Sequence, residues 1–380
     1  MSYLDKLLQG VEVEWKTLGE VSIKISSGGT PKTGVSTYYN GNIPWLRTQE
    51  VGYGDIWDTE IKITEEGLKN SSAKLIPENC VIVAMYGATV GRVGINKIPL
   101  CTNQACANIQ LNEQLVHYRF VYHFLLSQYE YIKSLGAGSQ TNINAQIVKS
   151  IQIPTPPLSV QKEIVRILDS FTELTAELTT ELTARKQQYN YYREKLLSFD
   201  EGKVEWKTLG EIAEIGTGSH NTQDAVEDGI YTFYARGISP LKLNSFDFDE
   251  TAIITAGDGV GVGKVFHWAT GKYALHQRAY RIVPNNSVCS RYVYHYLIAK
   301  FYDYIVKTSV SSSVTSMRKP MFLKFPVPIP SVDEQKHIAS ILDKFDTLTT
   351  SISEGLPREI ELRQKQYEYY RDVLLTFPKN

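Results

Sequence analysis

Residues 159–199 read SVQKEIVRILDSFTELTAELTTELTARKQQYNYYREKLLSF, a stretch without Gly or Pro. Leu168, Thr175, Leu182, Tyr189 and Leu196 recur every seven positions, and Phe171, Leu178, Arg185, Tyr192 and Phe199 follow each of them by three. This a/d spacing draws one narrow seam, the pattern of a coiled coil rather than of a helix lying on a broad core. At about 1.5 Å per residue the helix is roughly 60 Å long, more than one small domain needs. Such a seam wants a second helix.

Residues 331–377 supply it, reading SVDEQKHIASILDKFDTLTTSISEGLPREIELRQKQYEYYRDVLLTF. Gln161 and Lys162 answer to Gln335 and Lys336, and Ile167, Leu168 and Asp169 to Ile341, Leu342 and Asp343, at an offset of 174. Gln188 and Tyr189 answer to Gln366 and Tyr367, and residues 191–193 to residues 369–371, at an offset of 178. The second copy therefore carries four extra residues, marked by Gly355 and Pro357. Four residues inserted in a heptad pattern keep the seam on one face and change its winding. A break is expected near residues 354–359.

The duplication runs beyond the helices. VEWKTLGEV at residues 13–21 returns as VEWKTLGEI at residues 204–212, and a helix end precedes each copy, at residues 5–8 and 193–197. The chain thus divides into a helix tail (1–10), a globular domain (11–157), a helical region (158–201), a second globular domain (202–330) and a second helical region (331–380). Units this long are two copies of one module, not a solenoid. The expected fold is mixed α/β (α+β), with two pseudo-symmetric globular domains separated by a long antiparallel two-helix coiled coil.

Bulk properties narrow the function. The 380 residues give room for two cores. No apolar run approaches the ~20 residues of a membrane span, and residues 1–10 lack the apolar core of a signal peptide. The four cysteines form no CxxC pair, so a reduced, cytoplasmic protein without membrane contact is expected. Net charge is −1; residues 11–157 carry 12 basic and 12 acidic side chains, and residues 202–330 carry 14 and 11. A chain so near neutrality has little phosphate affinity of its own, so other subunits would supply much of any clamp on a DNA backbone.

Each globular domain alternates short β patterns with polar loops. In the first, strands are expected at 21–25, 80–85 and 107–111, loops at 26–34, 86–94 and 136–144, polar side chains after an apolar anchor at 43–49, a turn at 102–104, and one helix over 116–135. The second follows the same outline, with loops at 216–220, 256–264 and 309–319, counterparts of the 43–49 segment at 233–237 and of the 102–104 turn at 274–278, a strand at 252–255 and a helix over 290–306. A proline-rich, extended exit (151–158 and 325–330) leads into each long helix. Ser331 with Glu334 forms a capping box; Ser159 has Lys162 in that place and is a lone N-cap. Scaffold positions match while loop contents differ, as in two readers built alike and set to different targets.

Catalytic motifs are missing. Residues 257–264 fit neither G-x-x-x-x-G-K-[ST], with Asp258 where the first Gly belongs and Val265 where Ser/Thr belongs, nor G-x-G-x-x-G; a strand-connecting loop is the better reading. The seven histidines show no metal-ligand spacing. Thr155 to Leu158 lacks the flanks of an aminomethyltransferase tetrapeptide, and neither a cofactor loop nor a nuclease-like carboxylate cluster is present. The chain is expected to catalyse nothing and to bind no metal or cofactor itself.

With SVQKEIVRIL and SVDEQKHIASIL opening the helical regions, proline exits before each, and EWKTLGE opening each domain, the chain resembles the specificity (S) subunit of type I restriction–modification systems over essentially its whole length. The resemblance implies two target-recognition domains, each reading half of a split double-stranded DNA site. It implies a coil that spaces them and docks two modification (methyltransferase) subunits, which restriction subunits join. S-adenosylmethionine and ATP/Mg chemistry would belong to those partners. The four-residue insertion with Pro357 departs from perfect symmetry of the docking surfaces.

Base readout uses Arg or Lys toward guanine and Asn or Gln toward adenine. Loop candidates for DNA contact are Lys32, Arg47, Thr48, Gln49, Arg92, Asn103, Gln104, Gln140 and Asn142 in the first domain. In the second they are His220, Arg236, Lys264, His276, Gln277, Arg278, Ser316, Arg318 and Lys319. For each, the alternative is a surface position or a loop-bracing hydrogen bond. Tyr189, Tyr192, Tyr367 and Tyr370 fall on the seam, whereas Tyr191 and Tyr369 point off it and, with Arg193 and Arg371, are docking candidates. Two other readings stay open: a coiled-coil scaffold whose domains bind protein, and a piece of a DNA methyltransferase or nuclease.

Overall fold

A computed structural model describes residues 7, 10–136, 142–200, 202–308, 317–351 and 353–377. Of the expected helix tail only Leu7 and Gly10 fall among them. The chain packs as two units, residues 1–177 with 360–380, and residues 178–359. Each takes one globular domain and part of each helical region.

The first unit contains β1 (Glu14–Thr17), β2 (Ser22–Ser27), β3 (Tyr39–Leu46), β4 (Gly54–Ile56), β5 (Lys62–Ile63), β6 (Val81–Ala84), β7 (Val93–Asn96), β8 (Cys101–Thr102), β9 (Cys106–Leu111) and β10 (Gln152–Thr155). Its main sheet has the order β2-β9-β6-β7-β4, and a smaller one the order β5-β3-β8. The uninterrupted apolar run of β6 is explained by burial of all four residues in the middle of the main sheet. The second unit repeats the plan. It holds β11 (Glu205–Thr208), β12 (Ala213–Thr217), β13 (Tyr231–Tyr234), β14 (Leu241–Leu243), β15 (Phe248–Asp249), β16 (Ala252–Ala256), β17 (Phe266–Ala269), β18 (Lys272–Leu275), β19 (Ala279–Pro284) and β20 (Pro326–Ile329). Here the sheets run β12-β19-β16-β17 and β14-β13-β18-β15.

The repeated EWKT and the proline exits turn out to be partners. β1 pairs antiparallel with β10, Trp15 opposite Pro154, and β11 pairs with β20, Trp206 opposite Pro328. Each two-stranded ribbon tolerates proline because its outer edge needs no amide donor. The extended exits are strands.

Beside several shorter helices, the longer ones are α1 (Tyr118–Ser127), α2 (Leu158–Leu196), α3 (Ser290–Thr308), α4 (Val332–Thr350) and α5 (Leu356–Leu375). In the first unit Ile164, Val165 and Leu168 of α2 share a core with Leu374 and Leu375 of α5 and with Phe120 and Leu125 of α1. Phe171 stacks on Tyr370, centroids 5.1 Å apart. α1 runs alongside α2, with His117 on Gln161 and His123 on Asp169, and against α5, with Phe120 on Phe377 and His123 on Tyr367. α2 and α5 are therefore antiparallel. In the second unit Tyr189 and Tyr192 of α2 stack on Phe345 of α4 at 5.9 and 5.6 Å. Every seam position from Leu168 to Phe199 is buried or half-buried, whereas Glu173, Glu177, Thr180 and Ala184 are exposed.

Three local expectations need correction. The stretch 116–135 is two helices, α1 and Tyr129–Ser134, separated at Gln128 with ψ 14°. The second long helix breaks earlier than expected: α4 ends at Thr350, Gly355 turns the chain at φ 87°, and Pro357 falls in the first turn of α5, where a missing N–H is harmless. Ser159 is not a cap, because α2 starts at Leu158 and the Pro157 carbonyl accepts from the Val160 and Gln161 amides. Ser331 does cap α4, its Oγ accepting from the Glu334 amide at 3.2 Å.

Cys80, Cys101 and Cys106 are buried in the first unit, and Cys289 is half-buried in the second. Burial pushes the first three thiols up to about 12, 11 and 12, with Glu65 adding to the effect at Cys101 and Glu50 at Cys106. Among the described residues no helix is long and apolar enough to cross a membrane.

Candidate nucleic-acid interface

In both units a shared set of backbone hydrogen bonds gathers loops at the ends of two parallel strands. β3 and β8 run parallel, as do β13 and β18, so their carboxyl ends emerge side by side. In the first unit the Asn103 amide donates to Leu46 O (2.9 Å), Gly29 to Thr102 O (2.9 Å), Met85 to Ala105 O (2.8 Å) and Ile143 to Met85 O (3.0 Å). In the second, His276 donates to Tyr234 O (3.0 Å), His220 to Leu275 O (3.3 Å), Gly257 to Arg278 O (2.8 Å) and Met317 to Gly257 O (2.7 Å). Gly28 and Gly218 sit so near the Thr102 and Leu275 carbonyls that a Cβ would collide with them. The loops singled out in the sequence therefore do converge, once in each unit.

Their side chains differ. In the first unit Arg47 donates from Nε to Glu50 (3.0 Å) and from Nη2 to Glu60 (2.6 Å), and the Gln49 amide, turned to face it, accepts from both Nη atoms. Thr48 is half-buried and Lys32 exposed. Gln104 accepts from Thr30, Asn103 accepts from the Cys106 thiol at 3.3 Å, and Asn142 accepts from the Gly87 amide at 3.3 Å. Arg92 lies over the Tyr53 ring at 5.6 Å. Gln140 lies outside the described residues.

In the second unit Asp258 sits between two arginines, accepting from Arg236 Nη1 and Arg278 Nη1, each at 2.8 Å. Burial alone would raise its carboxyl, but the two guanidiniums outweigh this and hold it below the usual carboxylate range. Lys264 rests on the Tyr302 ring at 4.7 Å, His220 lies 3.3 Å from Asp247, and Gln277 donates to Asn221. Arg318 and Lys319 are exposed. One expectation fails: His276 is 4% exposed, its Nδ1 accepts from the Arg278 amide at 2.9 Å, and burial lowers its pKa. It braces the turn and does not face outward. Ser316 lies outside the described residues.

At the root of each long helix the structure shows a device that the sequence reading missed. Asp169 of α2 binds Arg119 (2.6 and 2.9 Å) and His123 Nε2 (2.7 Å), and the other ring nitrogen of His123 meets the Tyr367 hydroxyl at 3.1 Å. In the second unit Asp343 of α4 binds Arg291 Nε (2.9 Å) and His295 Nε2 (2.7 Å). Burial lowers the pKa of His123 and His295 despite the neighbouring carboxylates, so both rings are neutral and donate from Nε2. Burial also works against ionisation of Asp169 and Asp343, but their histidine and arginine partners prevail and keep both carboxyls low. A signal existed, since Arg119 and His123 are spaced as Arg291 and His295 are.

Of the docking candidates, Tyr191 and Tyr369 are 60% and 64% exposed, each edge-on to the next tyrosine at 5.4 Å. Arg193 is folded over Tyr189 (5.5 Å), and Arg371 over Tyr367 (6.0 Å) with Asp372 at 2.8 Å, so both lie along their helices rather than projecting. Among the described residues no group of three or more His, Cys, Asp or Glu is placed to hold a metal ion.

The sequence matches the model of the type I restriction modification DNA specificity domain twice, over residues 10–185 and 201–362. It is 35% identical to a type I restriction enzyme specificity subunit of Escherichia coli, covering 100% of this chain and 98% of that one. It is 33% identical to a putative type I specificity subunit of Haemophilus influenzae, covering 99% and 98%. The crystal structure of the S subunit of a type I restriction-modification system from M. genitalium superposes with a TM-score of 0.67 at 18% identity, covering the whole of both chains.

Proposed function

The chain belongs to the type I restriction–modification specificity subunits, and from that premise we propose that each of its two units reads one half of a bipartite double-stranded DNA site. As a member of this family it is a non-catalytic targeting component. The observation that carries the two-reader assignment is the duplicated frame of backbone hydrogen bonds, which presents unlike side chains in its two copies. Like frames with unlike contents read unlike half-sites. The helical regions set the spacing and, through exposed Tyr191 and Tyr369, dock two modification subunits that restriction subunits then join. S-adenosylmethionine and ATP/Mg act on those partners, and this chain supplies the address. Its near-neutral charge supports this division of labour, because the partners must then provide most of the phosphate contacts.

The test is a domain exchange. Residues 11–157 are replaced by those of a relative in cells that express the complete system, and methylated adenines are mapped. One half-site changes and the other persists if the reading holds. A change in both halves, or in neither, refutes it.

A further inference from the structure

We propose that the half-site read by the second unit contains guanine contacted by Arg236 and Arg278, with Asp258 as the positioning residue that aims both guanidiniums. The inference rests on the two-reader assignment and narrows it to a base class.

Each arginine gives Asp258 only its Nη1 nitrogen, one to Oδ1 and one to Oδ2, both at 2.8 Å. A single-point tie leaves the other donors of each planar fork unused, and among the described residues neither guanidinium has a second hydrogen-bond partner. The carboxylate lies beneath, 16% exposed, while Arg236 and Arg278 are 42% and 62% exposed. They come from separate loops, after β13 and after β18, and the carboxylate from a third after β16. The pair therefore sits where the convergent loops meet.

Guanine is the base whose major-groove edge offers two adjacent acceptors, O6 and N7, matched to an arginine fork. An arginine already held by a carboxylate loses less rotamer freedom on binding than a free one. The same carboxylate cancels part of the local positive charge, which weakens attachment to any passing phosphate. Asp258 thus favours readout over indiscriminate binding. In the first unit the matching loop turns at Gly87 (φ 79°) as this one turns at Gly259 (φ 81°), but Tyr86 stands where Asp258 does. The device belongs to the second half-site alone.

The test uses the complex assembled with modification subunits and its mapped target duplex. Guanines in the half-site assigned to residues 202–330 are replaced one at a time by 7-deazaguanine, which lacks N7. At one or two positions affinity falls about tenfold, and Arg236→Met or Arg278→Met, which removes every donor, abolishes that sensitivity. Asp258→Asn tightens binding to a scrambled duplex, weakens binding to the target, and steepens the salt dependence on scrambled DNA. A carboxylate that merely staples loops together would leave the analogue sensitivity and the salt slope unmoved. A half-site without guanine, tolerance of 7-deazaguanine at every position, or an unchanged specificity ratio in Asp258→Asn overturns the inference. Absence of any sequence preference in the wild-type complex strikes instead at the two-reader assignment.

Discussion

Gln161 and Gln335, 174 positions apart, make the same pair of hydrogen bonds. Gln161 Oε1 accepts from the His117 amide at 2.8 Å while Nε2 donates to Pro156 O at 2.7 Å. Gln335 Oε1 accepts from the Cys289 amide at 2.8 Å while Nε2 donates to Pro330 O at 2.8 Å. Both side chains are fully buried. Each ties the proline exit, the first turn of a long helix and the start of the helix that braces it into one joint.

Gln161→Leu keeps the bulk of the side chain and strands an amide donor and a carbonyl in the interior. A loss of about 2–4 kcal/mol is expected for the first unit, and a similar loss for Gln335→Leu in the second. Denaturant unfolding followed by hydrogen exchange shows which unit has been weakened.

Truncation of Asp169 removes one of the two carboxylates that pair with half-buried Arg119, leaving Asp55, and takes away the acceptor for His123. Asp169→Ala is expected to cost about 2–3 kcal/mol. Asp343→Ala costs less, because that carboxylate is the more exposed of the two. Thermal melts of both variants check the order.

Acid acts on the same joints. Burial holds His117, His123 and His295 below the ordinary histidine value, so the unfolded chain takes up protons that the folded chain refuses. Stability is complete above about pH 6.5 and falls as the pH drops below it. Asp169 and Asp343, whose folded pKa values are lowered, add a second loss below about pH 3.8 as their native charges are neutralised. Urea midpoints measured from neutral to mildly acidic pH decline from the first step, and His123→Gln flattens the decline in the first unit.

A methyl group at Gly28 or Gly218 would meet a carbonyl oxygen of β8 or β18 and push the first loop out of its cluster. Gly218→Ala in the assembled complex is expected to abolish discrimination at the second half-site while leaving the first readable. Competition binding with duplexes altered in one half at a time measures this.

Tyr191 and Tyr369 project from equivalent places on the two helical regions, each edge-on to the next tyrosine of its own helix. Tyr191→Ala and Tyr369→Ala each leave folding within about 0.5 kcal/mol of wild type. Each loses one modification subunit from the assembly, as native mass spectrometry would count.

The period of seven in residues 159–199 was enough to place the seam, because a helix repeats its face regardless of what covers it. The reader loops were legible as positions, since glycines and polar runs punctuate buried strands. Their side-chain partners were not. Arg47 is held by Glu60, thirteen residues on, and buried His276 stacks on Phe233 of β13, contacts that no local pattern encodes. The partners of Asp169 lie 46 and 50 residues upstream, beyond the reach of any helical period. The break before α5 was legible as a breaker pair but misplaced, because proline is compatible with a first helical turn and the run already ends at Thr350, with extended Ser351 as its C-cap ahead of the glycine.

The uneven distribution of sulfur between the units gives the chain an internal reporter. Three thiols are sealed in one body and a single partly accessible one lies in the other. A maleimide pulse followed by intact-mass measurement would therefore register the opening of the first body as three simultaneous adducts. The lone thiol of the second, partly accessible while folded, would add a single adduct before either body opens, so the later three could be followed without adding a probe.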